Sequence, residues 1–161
     1  MNLFASAPLW LAWCLAALLI AAAIEDAVRM KISNVVSLAV FVAAIVAMAV
    51  GGLEIALWQN ALVFAVLLAG GTLLFGAGKM GGGDVKLMAG VGLWCSLTTA
   101  FTLLPIVFIT GGLLALIILA ARTIAPKGSG VRVIVLKPGS GIPYGIAIAA
   151  GALITLALSR G

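Results

Sequence analysis

The sequence predicts an all-α integral membrane protein: six transmembrane helices in one membrane-embedded domain over residues 1–161. Three observations predict it. Of the 161 residues, 65% are hydrophobic and 8% charged, against roughly 25% charged in a soluble globule. So few charges cannot cover a water-facing surface, and the same arithmetic excludes a disordered chain. The apolar residues also fall into long runs, and a bilayer needs about 20 per helix. Third, the nine Lys and Arg residues are divided unevenly between the connections. Two cysteines in the whole chain exclude a disulfide scaffold.

Taken in order, helix one covers 3–24 and ends at a polar cluster, Glu25, Asp26, Arg29, Lys31 and Asn34. Helix two covers 35–52 and stops at Gly51 and Gly52. Glu54 marks a short connection, and helix three covers 55–75. A glycine-rich polar segment fills 76–86. The apolar stretch 87–121 is 35 residues long, too long for one span and suited to two short ones. The turn is expected near 96–99, between helices 85–100 and 103–122, with Pro105 early in the fifth. A basic stretch follows from Arg122 to Lys137, and helix six covers 142–159.

The first connection holds Arg29 and Lys31, the third Lys79 and Lys86, the fifth Arg122, Lys127, Arg132 and Lys137. The second and fourth hold none, and Arg160 is the ninth cation. Eight of nine cations therefore share one side, which the positive-inside rule makes cytoplasmic, leaving both termini non-cytoplasmic. No Lys or Arg precedes the first apolar run, so a cleaved signal peptide is not expected. Insertion topology accounts for the basic balance, so the expected partner is the lipid bilayer and not nucleic acid.

Three of the four acids, Glu25, Asp26 and Asp84, fall on the cytoplasmic side, and Glu54 on the other. Asp26 closes helix one and Asp84 opens helix four, and antiparallel helices bring those ends to the same depth. Glu25 points roughly 100° away from Asp26 on a helix and reads as a solvated border residue. The residues Gly81-Gly82-Gly83-Asp84 predict an irregular, partly hydrated helix entry, since polar backbone at membrane depth needs protein or a wet cavity around it. Taken alone, Asp84 reads first as an N-cap or a partner of Lys86. Asp26 reads as a boundary acid or an ion pair with Arg29 or Lys31. No Walker pattern accompanies the glycines. Cys14 and Cys95 sit in apolar runs and read as core residues, so no metal or cofactor is expected. Glycines such as Gly70, Gly71, Gly90, Gly111, Gly112 and Gly151 are expected to permit close helix packing.

Gly81-x-Gly83-Asp84-x-Lys86-Leu87 resembles the GxGD signature of type IV prepilin peptidases. Asp26, followed by Arg29, Ile32 and Asn34, resembles the other aspartate segment of that family, and Ile142-Pro143-Tyr144-Gly145 its third patch. The resemblance covers about residues 10 to 158. It implies an aspartic endopeptidase of the bacterial inner membrane, with Asp26 and Asp84 as the catalytic pair. It also implies supporting roles for Gly81, Gly83, Lys86, Arg29, Asn34, Pro143, Tyr144 and Gly145. The implied substrates are prepilins or pseudopilins: a short basic leader, a glycine at the cut site, then a hydrophobic helix. Bifunctional members carry a two-CxxC zinc insert after the first helix. Here that connection is short and has no cysteine, which resembles the peptidase-only, Flp/Tad-type branch and implies no N-methyltransferase activity. The β-branched stretch 131–136 is expected to be an interfacial loop, with contact to an extended substrate as its alternative.

A different reading of paired acids is a proton- or ion-coupled carrier, but carriers hold such acids near the midplane. A catalytically silent assembly factor is the third reading. The sequence assigns no oligomeric state and does not say which aspartate is base and which acid.

Overall fold

The computed structural model describes residues 1–52, 56–124 and 141–161. Among them the chain forms seven helices and no strand: α1 (Leu3–Ser6), α2 (Leu9–Arg29), α3 (Asn34–Gly51), α4 (Leu57–Gly76), α5 (Gly82–Gly92), α6 (Leu97–Ile124) and α7 (Tyr144–Arg160). Four of them, α2, α3, α4 and α6, are long and apolar enough to cross a membrane, and α7 is a shorter apolar helix. Trp13, Leu73 and Phe101 are each about three-quarters exposed on the outer faces. So much outward apolar surface suits lipid and not water; Cys14, expected in the core, is on that exposed face, and only Cys95 is buried. The chain is a multi-pass membrane protein. Glu54, Lys127, Arg132, Lys137 and the stretch 131–136 lie outside the described residues.

The first apolar run is not one helix. Proline disfavours the helical conformation in the residue before it. Ala7, ahead of Pro8, is accordingly extended, and α1 is a single turn. Leu3 and Phe4 of α1 are fully buried, and the Phe4 ring stacks on Trp94 at 6.3 Å. α2 then runs through the polar cluster to Arg29 instead of ending at 24. It stops at Met30, which takes the left-handed conformation (φ 54°) and returns its N–H to the Asp26 carbonyl at 2.9 Å.

α5 also departs from expectation. It covers 82–92 and not 85–100, and its 11 residues make it about 16 Å long, roughly half the hydrocarbon thickness. Residues 93–96 continue as buried, non-helical backbone. Such backbone survives at depth only if protein satisfies it, and protein does. The Leu93 carbonyl accepts Asn60 Nδ2 at 3.0 Å, the Trp94 carbonyl accepts the Leu3 N–H at 3.0 Å, and Trp94 Nε1 donates to the Val40 carbonyl at 3.2 Å. Ser96 Oγ accepts the Thr99 N–H at 3.2 Å, so the expected turn at 96–99 is instead a cap. α6 therefore starts at Leu97, ahead of the expected 103, with Pro105 inside it. Asn60 is fully buried. We expect Asn60→Leu to strand the Leu93 carbonyl and lower stability by about 1–3 kcal/mol, measured as thermal unfolding in detergent.

α5 is the central helix, packed against α3, α4 and α7, while α2 packs on α3 and α7, and α6 on α7. The end of α2 and the starts of α3, α5 and α7 consequently gather at one end of the bundle.

Candidate active site

Asp26, near the end of α2, is buried (4% exposed). Its Oδ2 accepts the Gly145 N–H at 2.7 Å, and the Ile146 N–H also lies against it. These are first-turn donors of α7, which have no partner inside their own helix. Pro143, buried, fixes where that helix begins. The third motif thus aims a helix N-terminus at a carboxylate, an arrangement that favours negative charge there. Glycine at 145 is required by space. A Cβ would lie 2.8 Å from Asp26 Oδ2 and 2.5 Å from Ile32 Cδ1.

Asp84, in the first turn of α5, is half-buried, and its Oδ2 accepts the Gly81 N–H at 3.3 Å. Asp84 is therefore not the N-cap that the residues alone suggest: Gly81 holds that position, and Asp84 reaches back to it from the third residue of the helix, because α5 begins three residues earlier than expected. It also lies close enough to Asp26 to feel its charge, and the Gly145 N–H acts on both carboxylates. The two acids border one cavity of about 260 Å³, together with Met30, Lys31, Ile32 and glycines 81–83. Gly83 lets α5 approach the α2–α3 connection, since a Cβ there would lie 3.1 Å from the Ile32 carbonyl.

The remaining motif residues divide. Gly81 and Gly83 border the cavity. Lys86 does not turn to Asp84: its Nζ donates to Asn34 Oδ1 at 2.8 Å, joining the starts of α3 and α5. Arg29 is exposed and outside the cavity. The Tyr144 ring packs toward Gly111 of α6 and is not among the residues that border the carboxylate cavity.

Glu25 has a larger part than its sequence position suggests. Its Oε2 accepts the Ser33 N–H at 2.8 Å, and Ser33 Oγ caps α3 through the Val36 N–H at 3.3 Å. This clamp fixes the connection that carries Lys31 and Ile32 into the cavity wall. The serine cap at the start of α3 is the signal that could have revealed it. Glu25→Ala should lower the unfolding temperature in detergent by loosening that wall, and Glu25→Gln, which keeps an acceptor, should restore most of it.

The site therefore offers two acids of distant sequence origin, backbone donors on both, and room for water between them. The type IV leader peptidase family matches the chain over residues 13–120, a span that contains both aspartates and the glycine loop. No curated protein and no solved structure matches the chain significantly. With more than half of its length matched, the chain belongs to the type IV leader peptidase family.

Proposed function

We propose that this peptidase is an aspartic endopeptidase of the bacterial inner membrane that removes the leader from type IV prepilins or pseudopilins of the Flp/Tad kind. Asp26 and Asp84 activate the water. The observation that carries the reading is the shared cavity, with Asp84 within electrostatic reach of Asp26. Like charges so placed do not both ionise readily, so the pair holds one proton. The carboxylate takes a proton from water as it attacks the scissile carbonyl, and the carboxylic acid donates a hydrogen bond to the carbonyl oxygen. The proton then passes to the leaving amine. A cavity of about 260 Å³ has room for water and polar walls to hold it.

In this reading the chain crosses the membrane six times. α1 and α2 make one crossing, and α5 with residues 93–96 makes another. The cation distribution then puts the carboxylates at the cytoplasmic border and both termini on the other side. N-methylation is not part of the proposal, because no cysteine stands between α2 and α3. An ion-coupled carrier is disfavoured because the acids sit at helix ends and not at mid-helix breaks.

The test incubates purified protein in detergent with a co-purified prepilin and reads the mature N-terminus by mass. One cut at the leader junction, lost in the aspartate variants, supports the proposal. Ion flux in liposomes without any cut overturns it in favour of a carrier, and neither activity favours a silent assembly factor.

A further inference from the structure

A second cavity, of about 460 Å³, opens between α4 and α6. Val66, Gly70 and Leu74 form its α4 wall at four-residue spacing, and Leu104 and Phe108 its α6 wall. α4 and α6 touch only sparingly, and α4 is the least buried of the four long apolar helices. The walls are apolar except for Lys79 beside Met80, and the glycine backbone is uncovered: a Cβ added at Gly70 meets nothing within 4 Å. Small residues on a membrane helix let another helix approach closely.

One end of this groove is made by Met80 and Tyr144. Met80 immediately precedes Gly81, whose N–H is held by Asp84, and Tyr144 immediately precedes Gly145, whose N–H is held by Asp26. The groove thus leads to the carboxylates along both strands of chain that hold them. It also gives Tyr144 a place that the carboxylate geometry does not.

We propose that the α4–α6 groove receives the apolar helix of the substrate, delivering the residues just before that helix to Asp26 and Asp84. The inference rests on the leader-peptidase reading. A lipid acyl chain would also suit apolar walls, but it has no reason to end at two carboxylates, whereas a segment to be cut must. A helix about 10 Å across would lie along the groove and bury one stripe against Gly70 and Phe108. The cut itself uses the water-activation step described above and needs no other reactant.

The first experiment separates docking from cleavage. Asp26→Asn protein, with Cys14→Ser to remove the exposed thiol, is mixed with a prepilin carrying one cysteine in the first turns of its apolar helix. Leu74→Cys and Phe108→Cys, on opposite walls, should both form disulfides with it. Leu73→Cys, on the lipid face of the same helix, should not. Equal cross-linking at 73 and 74 overturns the inference. Cross-links at 74 and 108 from a parent that cuts no prepilin leave the groove standing and sink the cleavage reading instead.

The second experiment fills the groove. Gly70→Leu should lower kcat/KM for intact prepilin about tenfold relative to a short peptide that spans the cut and lacks the apolar helix. The loss should lie mainly in KM. Gly112→Leu, another glycine with open space around it but outside the groove, should leave that ratio unchanged. An unchanged ratio in Gly70→Leu overturns the inference, as does the loss of a co-purifying phospholipid with no change in the ratio.

Discussion

Asp84→Asn is expected to lower the rate of prepilin cleavage by roughly 10⁴-fold or more, and Asp26→Asn to do the same. Both substitutions keep an oxygen acceptor for the backbone donor each aspartate now holds, Gly81 N–H at 3.3 Å and Gly145 N–H at 2.7 Å. The fold should therefore survive, and the unfolding temperature should stay near that of the parent. What disappears, on the proposed mechanism, is the shared proton. An amide can neither take a proton from water nor give one to the leaving amine. If the two acids act as one unit, as proposed, the double variant should be no slower than either single one, a non-additivity that independent contributions would not produce.

The same pairing fixes the form of the pH profile. At low pH both carboxyls are protonated and no base remains. At high pH both are ionised and no acid remains. Cleavage should therefore peak between two limbs that belong to the pair. A single variant that cuts at the parental rate, or a parental rate that climbs steadily with pH, would remove the case for the pair.

The meeting of Asp26 and Asp84 was legible because it follows from topology. Two acids at adjacent ends of antiparallel helices share a depth whatever the packing in between. The shortness of α5 was not legible. Trp94 and Cys95 are apolar in either conformation, and the groups that satisfy the non-helical backbone there, Leu3 and Asn60, stand far away in sequence. Hydropathy does not distinguish a buried helix from buried coil whose hydrogen bonds come from elsewhere. Nearness along the chain pairs Lys86 with Asp84, but residues two apart on a helix face different ways, and Asn34 takes the ammonium instead. The helical face of Glu25 alone makes it a solvated border residue. Its role depends on the reversal at Met30, which brings Ser33 back alongside α2. The left-handed conformation of a methionine leaves no mark in the sequence.

Gly145→Ala is expected to lower kcat for cleavage about 100-fold, with a smaller change in KM. The added methyl meets two neighbours, Ile32 Cδ1 at 2.5 Å and Asp26 Oδ2 at 2.8 Å, and also nears Asp26 Cβ at 3.1 Å. The isoleucine tip can give way, but the aspartate can do so only by abandoning the Gly145 N–H and its place beside Asp84. The two contacts can be separated. Ile32→Val deletes Cδ1 and leaves the collision with Asp26 in place. The double variant Gly145→Ala, Ile32→Val should therefore regain unfolding temperature without regaining cleavage. If it regained both together, the glycine would matter only for packing against Ile32, and α7 would have no hold on Asp26 beyond its bulk. If stability recovered alone, the Gly145 N–H would be identified as what sets the Asp26 carboxylate in register with Asp84.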